Sequence, residues 1–136
     1  MRAPALLAVD EEPQAFRSLF EAARERGARV GWLDLARPVE PPPELEEAVL
    51  AGAFKSVSAT AGRSVAVKAT RGAPVLRDLL REHFLGCALV LVRGREGQPR
   101  LVSEADAYRL ELATERTLRL AAGPLVDELL RPRHRA

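Results

Sequence analysis

The residue types that most often build metal sites, disulfides and catalytic pairs are scarce in this sequence. Of its 136 residues, one is cysteine and two are histidine. The lone Cys87 cannot form an internal disulfide and does not indicate a zinc site. Inside an apolar run it is typical of a small core residue. Neither His83 nor His134 has a partner that suggests a metal site or a catalytic dyad.

The familiar nucleotide-binding motifs are also absent. No G-x-G-x-x-G follows the first apolar run, which argues against a dinucleotide-binding turn. No G-x-x-x-x-G-K-[ST] occurs, so the chain has no standard phosphate-binding loop. CxxC and HExxH are missing as well. We therefore assign no catalytic residue, metal ligand or cofactor from the sequence, and whether the protein is an enzyme stays open.

Long apolar runs and a strong charge of one sign are lacking too. No run approaches the roughly 18 residues that a membrane span needs, and the start of the chain lacks the apolar core of a signal peptide. We therefore expect a cytoplasmic protein with no membrane partner. A net charge of +2 and an aromatic content of 4% argue against nucleic-acid binding, since single-strand binders use aromatic stacking platforms.

Arginine supplies nearly all of the positive charge. Lys55 and Lys68 are the only lysines, and the chain contains neither Ile nor Asn. This skew is typical of GC-rich coding and resembles a thermophile composition, in which heat-labile Asn is depleted. The length and the 47% hydrophobic content predict a single α/β domain over 1–130, followed by a basic tail over 131–136. The arginines and this tail would carry a nucleic-acid function, the third alternative for the protein.

Hydrophobic patterning predicts an α/β fold. The uninterrupted apolar run over 87–92 is typical of a strand covered on both faces, as in a mostly parallel sheet with helices on both sides. A strand over 4–9, a helix opened by Asp10 as its cap, and a strand over 29–33 form one βαβ unit. The layout is Rossmann-like or P-loop-like.

The other elements follow from turn residues and periodicity. We predict a short helix over 44–50, a hairpin turning at 60–63, and a helix over 74–84. The segments 108–112 and 117–120 alternate apolar and polar residues, which favours a C-terminal β-hairpin, although Ser103 and Asp106 resemble the capping box of a helix. A last helix begins at Gly123.

Ligands of open α/β sheets bind outside the carboxyl ends of the strands. Four such ends can be named, at Asp10, at Asp34, at 70–72 and at 93–95. The segment 70–72 lies at a predicted helix start, where backbone N–H groups favour an anion, and Arg71 and Arg93 could each hold a phosphate or carboxylate in a two-pronged contact. The predicted ligand-binding residues are Asp10, Asp34, Lys68, Arg71, Gly72, Arg93 and Gly94.

Each of these residues also has a plain structural interpretation. Asp10 can be a helix cap, Asp34 a turn-forming acid, and Lys68 a solvated strand residue. If they do form a site, Asp10 and Asp34 would orient the ligand or hold a divalent cation. The expected ligand is a phosphorylated small molecule.

Part of the chain resembles the GTP-binding B protein of molybdopterin-guanine dinucleotide biosynthesis, a P-loop family. The similarity runs from 51–53 and the Val57 strand, through 76–80, to 88–94 and 99–102. In that family a hydrophobic strand ends in Val-Glu-Gly and is followed by a Pro-Lys-Ile-Glu-like segment. The resemblance implies a related α/β architecture and a dimer.

The chain departs from this family at its functional positions. Residues 9–13, Val-Asp-Glu-Glu-Pro, stand where the family has its phosphate loop, and Arg93 stands where it has the glutamate near the metal. Because the acids would repel a nucleotide's phosphates, no catalytic residue carries over. The second functional hypothesis is therefore a non-catalytic, degenerate homodimer or adapter.

The segment 7–13 also resembles the start of a response-regulator receiver, whose acidic pocket holds Mg²⁺. Asp34, Thr60 and Lys68 follow in the receiver's order of phospho-acceptor, hydroxyl and lysine. The spacings between them are too short for that fold.

Overall fold

The computed structural model describes residues 3–113 and 115–131. They fall into two compact units, one made of Met1–Arg37 with Val75–Ala136 and the other of Pro38–Pro74. We call these the sheet unit and the hairpin unit, and each is described by itself. The single domain over 1–130 stays a prediction, and residues 132–136 of the predicted tail, with His134, lie outside the described residues.

The elements alternate along the chain. In order they are β1 (Ala5–Val9), a 3-10 turn (Pro13–Phe16), α1 (Arg17–Glu25), β2 (Val30–Asp34), α2 (Pro43–Leu50), β3 (Lys55–Ala59), β4 (Ser64–Lys68), α3 (Leu76–His83), β5 (Leu89–Arg93), β6 (Arg100–Glu104), β7 (Ala107–Glu111), β8 (Thr117–Leu120) and α4 (Ala122–Leu129). No helix in the described ranges is long and apolar enough to cross a membrane.

The sheet unit contains a six-stranded sheet in the order β2-β5-β1-β6-β7-β8. The first four strands are parallel, and β7 and β8 continue antiparallel. The predicted βαβ unit is confirmed, with β5 inserted between its two strands. All five residues of β5 are buried, as its unbroken apolar run predicts.

One face of the sheet is covered by α1 and α4. The helical spacing of Phe16, Leu19 and Ala23 places them on the buried side of the first helix, and Leu125 and Leu129 do the same for the last. The core on this face comprises Ala5, Leu7, Val9, Phe16, Leu19, Ala22, Ala23, Leu89, Leu91, Leu101, Tyr108, Leu110, Leu125, Val126 and Leu129.

The opposite face of the sheet carries a close contact between β2 and the end of α3. Trp32 meets Phe16 on the α1 side, so its neighbour Gly31 faces the other way. A Cβ on Gly31 would overlap the ring of Phe84, lying 2.6 Å from Cε1. Glycine is therefore required for this helix end to pack on the strand.

β6 begins where β1 ends. The two strands pair only at Ala8 and Arg100, and the Ala8 N–H donates to the Pro99 carbonyl at 2.9 Å. The sheet continues beyond β1 through the β6–β7–β8 meander, which includes the predicted C-terminal hairpin. The capping-box interpretation of Ser103 is wrong, because this residue lies inside β6.

The prediction that Asp10 caps the first helix is also wrong. The helical segment begins three residues later at Pro13, and no side chain caps it. Proline at the first helical position explains this start, because its fixed φ suits a helix entry and it needs no acceptor for an N–H.

The hairpin unit consists of α2 with β3 and β4. These two strands pair antiparallel over five residue pairs, from Lys55 opposite Lys68 to Ala59 opposite Ser64, which confirms the predicted hairpin. They form a separate two-stranded sheet, so the strand end at 70–72 is not an end of the parallel sheet. Nor does 70–72 begin α3, whose cap is Val75. None of residues 38–74 is buried.

We expect Gly31→Ala to destabilise the protein by about 1–3 kcal/mol, because the added methyl group overfills the contact with Phe84. Urea denaturation of the variant measures this loss. Gly62→Ala is the matched control, since a Cβ there meets nothing within 4 Å. Equal unfolding midpoints for the two variants would contradict the proposed packing.

Candidate functional site

The carboxyl ends of β2, β5 and β1 align in one row. Asp34 lies opposite Arg93, and Arg93 lies opposite Val9. Parallel neighbours in register point to the same face, so the carboxylate and the guanidinium meet on the α1 side of the sheet.

Both oxygens of the Asp34 carboxylate accept hydrogen bonds. Its Oδ2 accepts a hydrogen bond from Arg93 Nε at 2.9 Å and a second, shorter one from Nη2. Its Oδ1 accepts the backbone N–H groups of Ala36 and Arg37 at 2.9 and 3.1 Å. The Arg93 guanidinium and these N–H groups lower the pKa of Asp34 from 3.8 to about 2. The acid therefore fixes both the strand pair and the turn that follows β2.

Arg93 is a buried cation, with 8% of its surface exposed. Its guanidinium lies 5.5 Å from the ring centre of Trp32, a distance suited to a cation–π contact. Hydrogen bonding to Asp34 raises the pKa of Arg93. Within the described residues its Nη1 is buried and has no hydrogen-bond partner.

Gly94 lets the chain turn directly after β5. Its φ is +96°, and a Cβ would lie 2.8 Å from the Ala36 backbone nitrogen. The position therefore requires glycine both for its left-handed backbone and for the approach of the turn after Asp34. The same turn opens the loop from Gly94 to Gln98.

Three consecutive acids follow β1, and each has a partner. Asp10 Oδ1 lies 2.7 Å from Arg100 Nη1. Glu11 accepts the Ser103 N–H of β6 at 2.9 Å, and Glu12 pairs with Arg37 at 2.9 Å. Carboxylates thus fill the connection between β1 and the first helix, where phosphate loops of related folds present backbone N–H groups to an anion.

A cleft of about 530 Å³ opens beside this edge. It lies within the sheet unit, between the end of β1, the loop after β5 and the β6–β7 pair. Its lining residues are Asp10, Gly94, Arg95, Glu96, Gly97, Gln98, Arg100 and Glu111. Its volume falls in the range of small-molecule sites, but its lining is polar and carries both signs of charge.

Arg100 forms the inner wall of the cleft. Its Nη2 donates to the Arg95 carbonyl at 2.6 Å, which fixes one arm of the guanidinium. The other nitrogen, Nη1, is buried beside Asp10 and makes no hydrogen bond within the described part of the chain, so the close ion pair with Asp10 is poorly aligned. Arg100 also lies directly opposite Glu111 on β7.

Four of the predicted site residues, Asp10, Asp34, Arg93 and Gly94, lie along the carboxyl edge of the parallel strands. Asp10 and Gly94 line the cleft, whereas Asp34 and Arg93 are engaged with each other. The other three, Lys68, Arg71 and Gly72, belong to the hairpin unit, where Lys68 lies 5.3 Å from the ring centre of Phe54. Their part in ligand binding stays a prediction.

Sequence reasoning placed Arg95 at a strand end without naming it as a site residue, and it missed the lining residues Glu96, Gly97, Gln98, Arg100 and Glu111. The apolar segment 101–102 after Pro99 was the available signal for a strand that would carry Arg100 to the edge. Nothing in the described ranges groups three or more His, Cys, Asp or Glu side chains around a possible metal position.

The architecture is similar to that of a solved protein. The crystal structure of MobB from Bacillus subtilis matches with a TM-score of 0.50 and 19% sequence identity, over 75% of this chain and 69% of that one. At this identity the match shows the fold alone, and it confirms the distant resemblance seen in the sequence. No family model matches the chain. No curated protein matches it either.

We expect Asp34→Asn to lower the free energy of unfolding at pH 7 by about 1–2 kcal/mol, after allowance for solvent screening at the sheet edge. The folded-state pKa lies below the unfolded one, so this stabilisation is present above about pH 4 and lost as the pH falls towards 2. Denaturation curves at several pH values should show wild type and variant converging in acid.

Glu21→Gln is the control for this experiment, because the Arg17–Glu21 pair is exposed on α1. It should change stability little at any pH. A constant difference between wild type and Asp34→Asn from pH 7 to pH 2 would contradict the role given to the ion pair.

Proposed function

We propose that the sheet unit binds a small phosphorylated ligand in the cleft beside the 94–98 loop. The observation that carries this proposal is the guanidinium of Arg100 at the inner wall, with Nη1 buried and lacking a hydrogen bond in the described chain. A buried donor that makes no hydrogen bond is costly even beside the Asp10 carboxylate, and a phosphate oxygen would satisfy it. Arg95 lines the same cleft and adds a second positive charge.

The carboxylates of the cleft favour a ligand that also carries hydrogen-bond donors. Glu96 and Glu111 line the same cleft as the arginines, and ionised carboxylates only accept hydrogen bonds. One Glu111 oxygen accepts from Arg109 at 3.2 Å, and we propose that a ligand hydroxyl donates to the other. A sugar phosphate or another phosphorylated polyol has this combination of groups.

This mode of binding does not use a phosphate loop. Asp10, Glu11 and Glu12 place three negative charges after β1, each held by a partner. Like charges would repel a triphosphate at that position. We therefore propose a binding protein and not a nucleotide hydrolase.

The second candidate is a non-catalytic homodimer or adapter. The hairpin unit favours it, because a unit below about 40 residues rarely buries enough apolar surface to be stable alone. Its exposed apolar side chains are Val39, Leu50, Phe54, Val57 and Val65. A second copy of the chain that covered them would supply the missing burial.

Arg100→Gln tests the ligand proposal. We expect it to weaken binding of inorganic phosphate or glycerol phosphate by about tenfold or more, since hydrogen bonds between charged groups contribute about 1.5–3 kcal/mol. Titration calorimetry at low salt measures the affinity. Arg17→Gln removes an exposed arginine from α1 and should leave binding unchanged. Wild-type affinity in Arg100→Gln would refute the assignment.

Sedimentation velocity tests the second candidate. We expect a concentration-dependent shift from monomer to dimer, which Phe54→Ser should move to higher protein concentration because it removes an exposed aromatic side chain. The exposed Leu85→Ser, in the sheet unit, is the matched control. A monomer at every concentration would exclude the homodimer.

A further inference from the structure

We propose that Asp10 is an internal anion that occupies the ligand's place on Arg100 and leaves when the ligand binds. This inference rests on the proposed function, because it describes how the same cleft is regulated. Its basis is the contrast between the two Asp–Arg pairs at one edge of the sheet, Asp10–Arg100 and Asp34–Arg93.

The Asp34–Arg93 ion pair is difficult to separate. The side chain of Asp34 is 17% exposed, and its two oxygens accept four hydrogen bonds. Opening this pair would leave a buried guanidinium and two backbone N–H groups without acceptors, which is strongly unfavourable.

The Asp10–Arg100 pair has the opposite character. The side chain of Asp10 is 74% exposed, whereas that of Arg100 is 17% exposed. Asp10 lies outside any helix or strand and caps neither. Within the described residues the contact is a 2.7 Å approach of charges without an aligned hydrogen bond. The carboxylate can therefore return to water at little cost, while the guanidinium remains in the wall.

A phosphate would be a better occupant than this carboxylate. Its oxygens match the planar fork of a guanidinium and can accept aligned, charge-assisted hydrogen bonds. Arg100 does not need to move, because its Nη2 is already held by the Arg95 carbonyl. Once phosphate is bound, Asp10 is repelled from the anion and turns outward. The affinity of the cleft is thus set by competition between an internal and an external anion.

Asp10→Asn and Asp10→Ala test this competition directly. Removing this carboxylate, which is mostly exposed and so binds Arg100 only weakly, is expected to raise the affinity for inorganic phosphate about fivefold. Titration calorimetry at fixed ionic strength measures the affinity. Asp106→Asn is the matched control, because Asp106 is exposed and paired with Arg119. It makes the same change in net charge away from the cleft lining and should leave the affinity unchanged.

The outcomes separate the two proposals. Tighter phosphate binding in both Asp10 variants, abolished by adding Arg100→Gln, would support displacement. If wild type binds phosphate through Arg100 and both Asp10 variants bind equally or more weakly, the displacement proposal is overturned and the proposed function stands. If neither the wild type nor any variant binds phosphate, both the proposed function and the displacement proposal are refuted. Melting curves of each variant establish that it is folded.

Discussion

The ion pair between Asp34 and Arg93 organises the carboxyl edge of the parallel strands. It joins the ends of two neighbouring parallel strands and anchors the turn that follows the first of them. Because Arg93 is buried, loss of the Asp34 carboxylate would leave its charge without compensation, which is strongly destabilising. Gly94 follows at once and permits the close approach of the two chain segments. The loop that lines the cleft begins from this rigid point.

The same edge of the sheet holds a second Asp–Arg pair, whose acid is much more exposed to solvent. Asp10 and Arg100 approach closely, but most of the Asp10 side chain is in water. Solvent screens the attraction and makes such a contact easy to exchange. The Asp34–Arg93 pair therefore stabilises the fold. The Asp10–Arg100 pair places a guanidinium beside a cleft large enough for a small molecule. The proposed exchange of anions at Arg100 would therefore leave the Asp34–Arg93 pair unchanged.

The similarity to MobB is one of fold. A shared layout of strands does not carry a shared reaction, because function depends on the groups placed at the site. Here the connection after β1 is acidic, and its carboxylates are used to bind arginines and a strand N–H. The negative charge at that connection would repel a nucleotide's phosphates. The arginines that line the cleft lie elsewhere, Arg95 in the loop after β5 and Arg100 at the start of β6.

Local sequence patterns determined most of the secondary structure, because apolar periodicity and turn residues act over a few neighbours. They predicted β5 as a strand buried on both faces, the hairpin of β3 and β4, and the strands β7 and β8. Only the tertiary structure decided that β3 and β4 form their own sheet, that β6 extends the main sheet beyond β1, and that Arg100 faces Asp10. These features depend on pairings between residues far apart in the chain, and strand order and register are set by such long-range contacts, which no local pattern encodes.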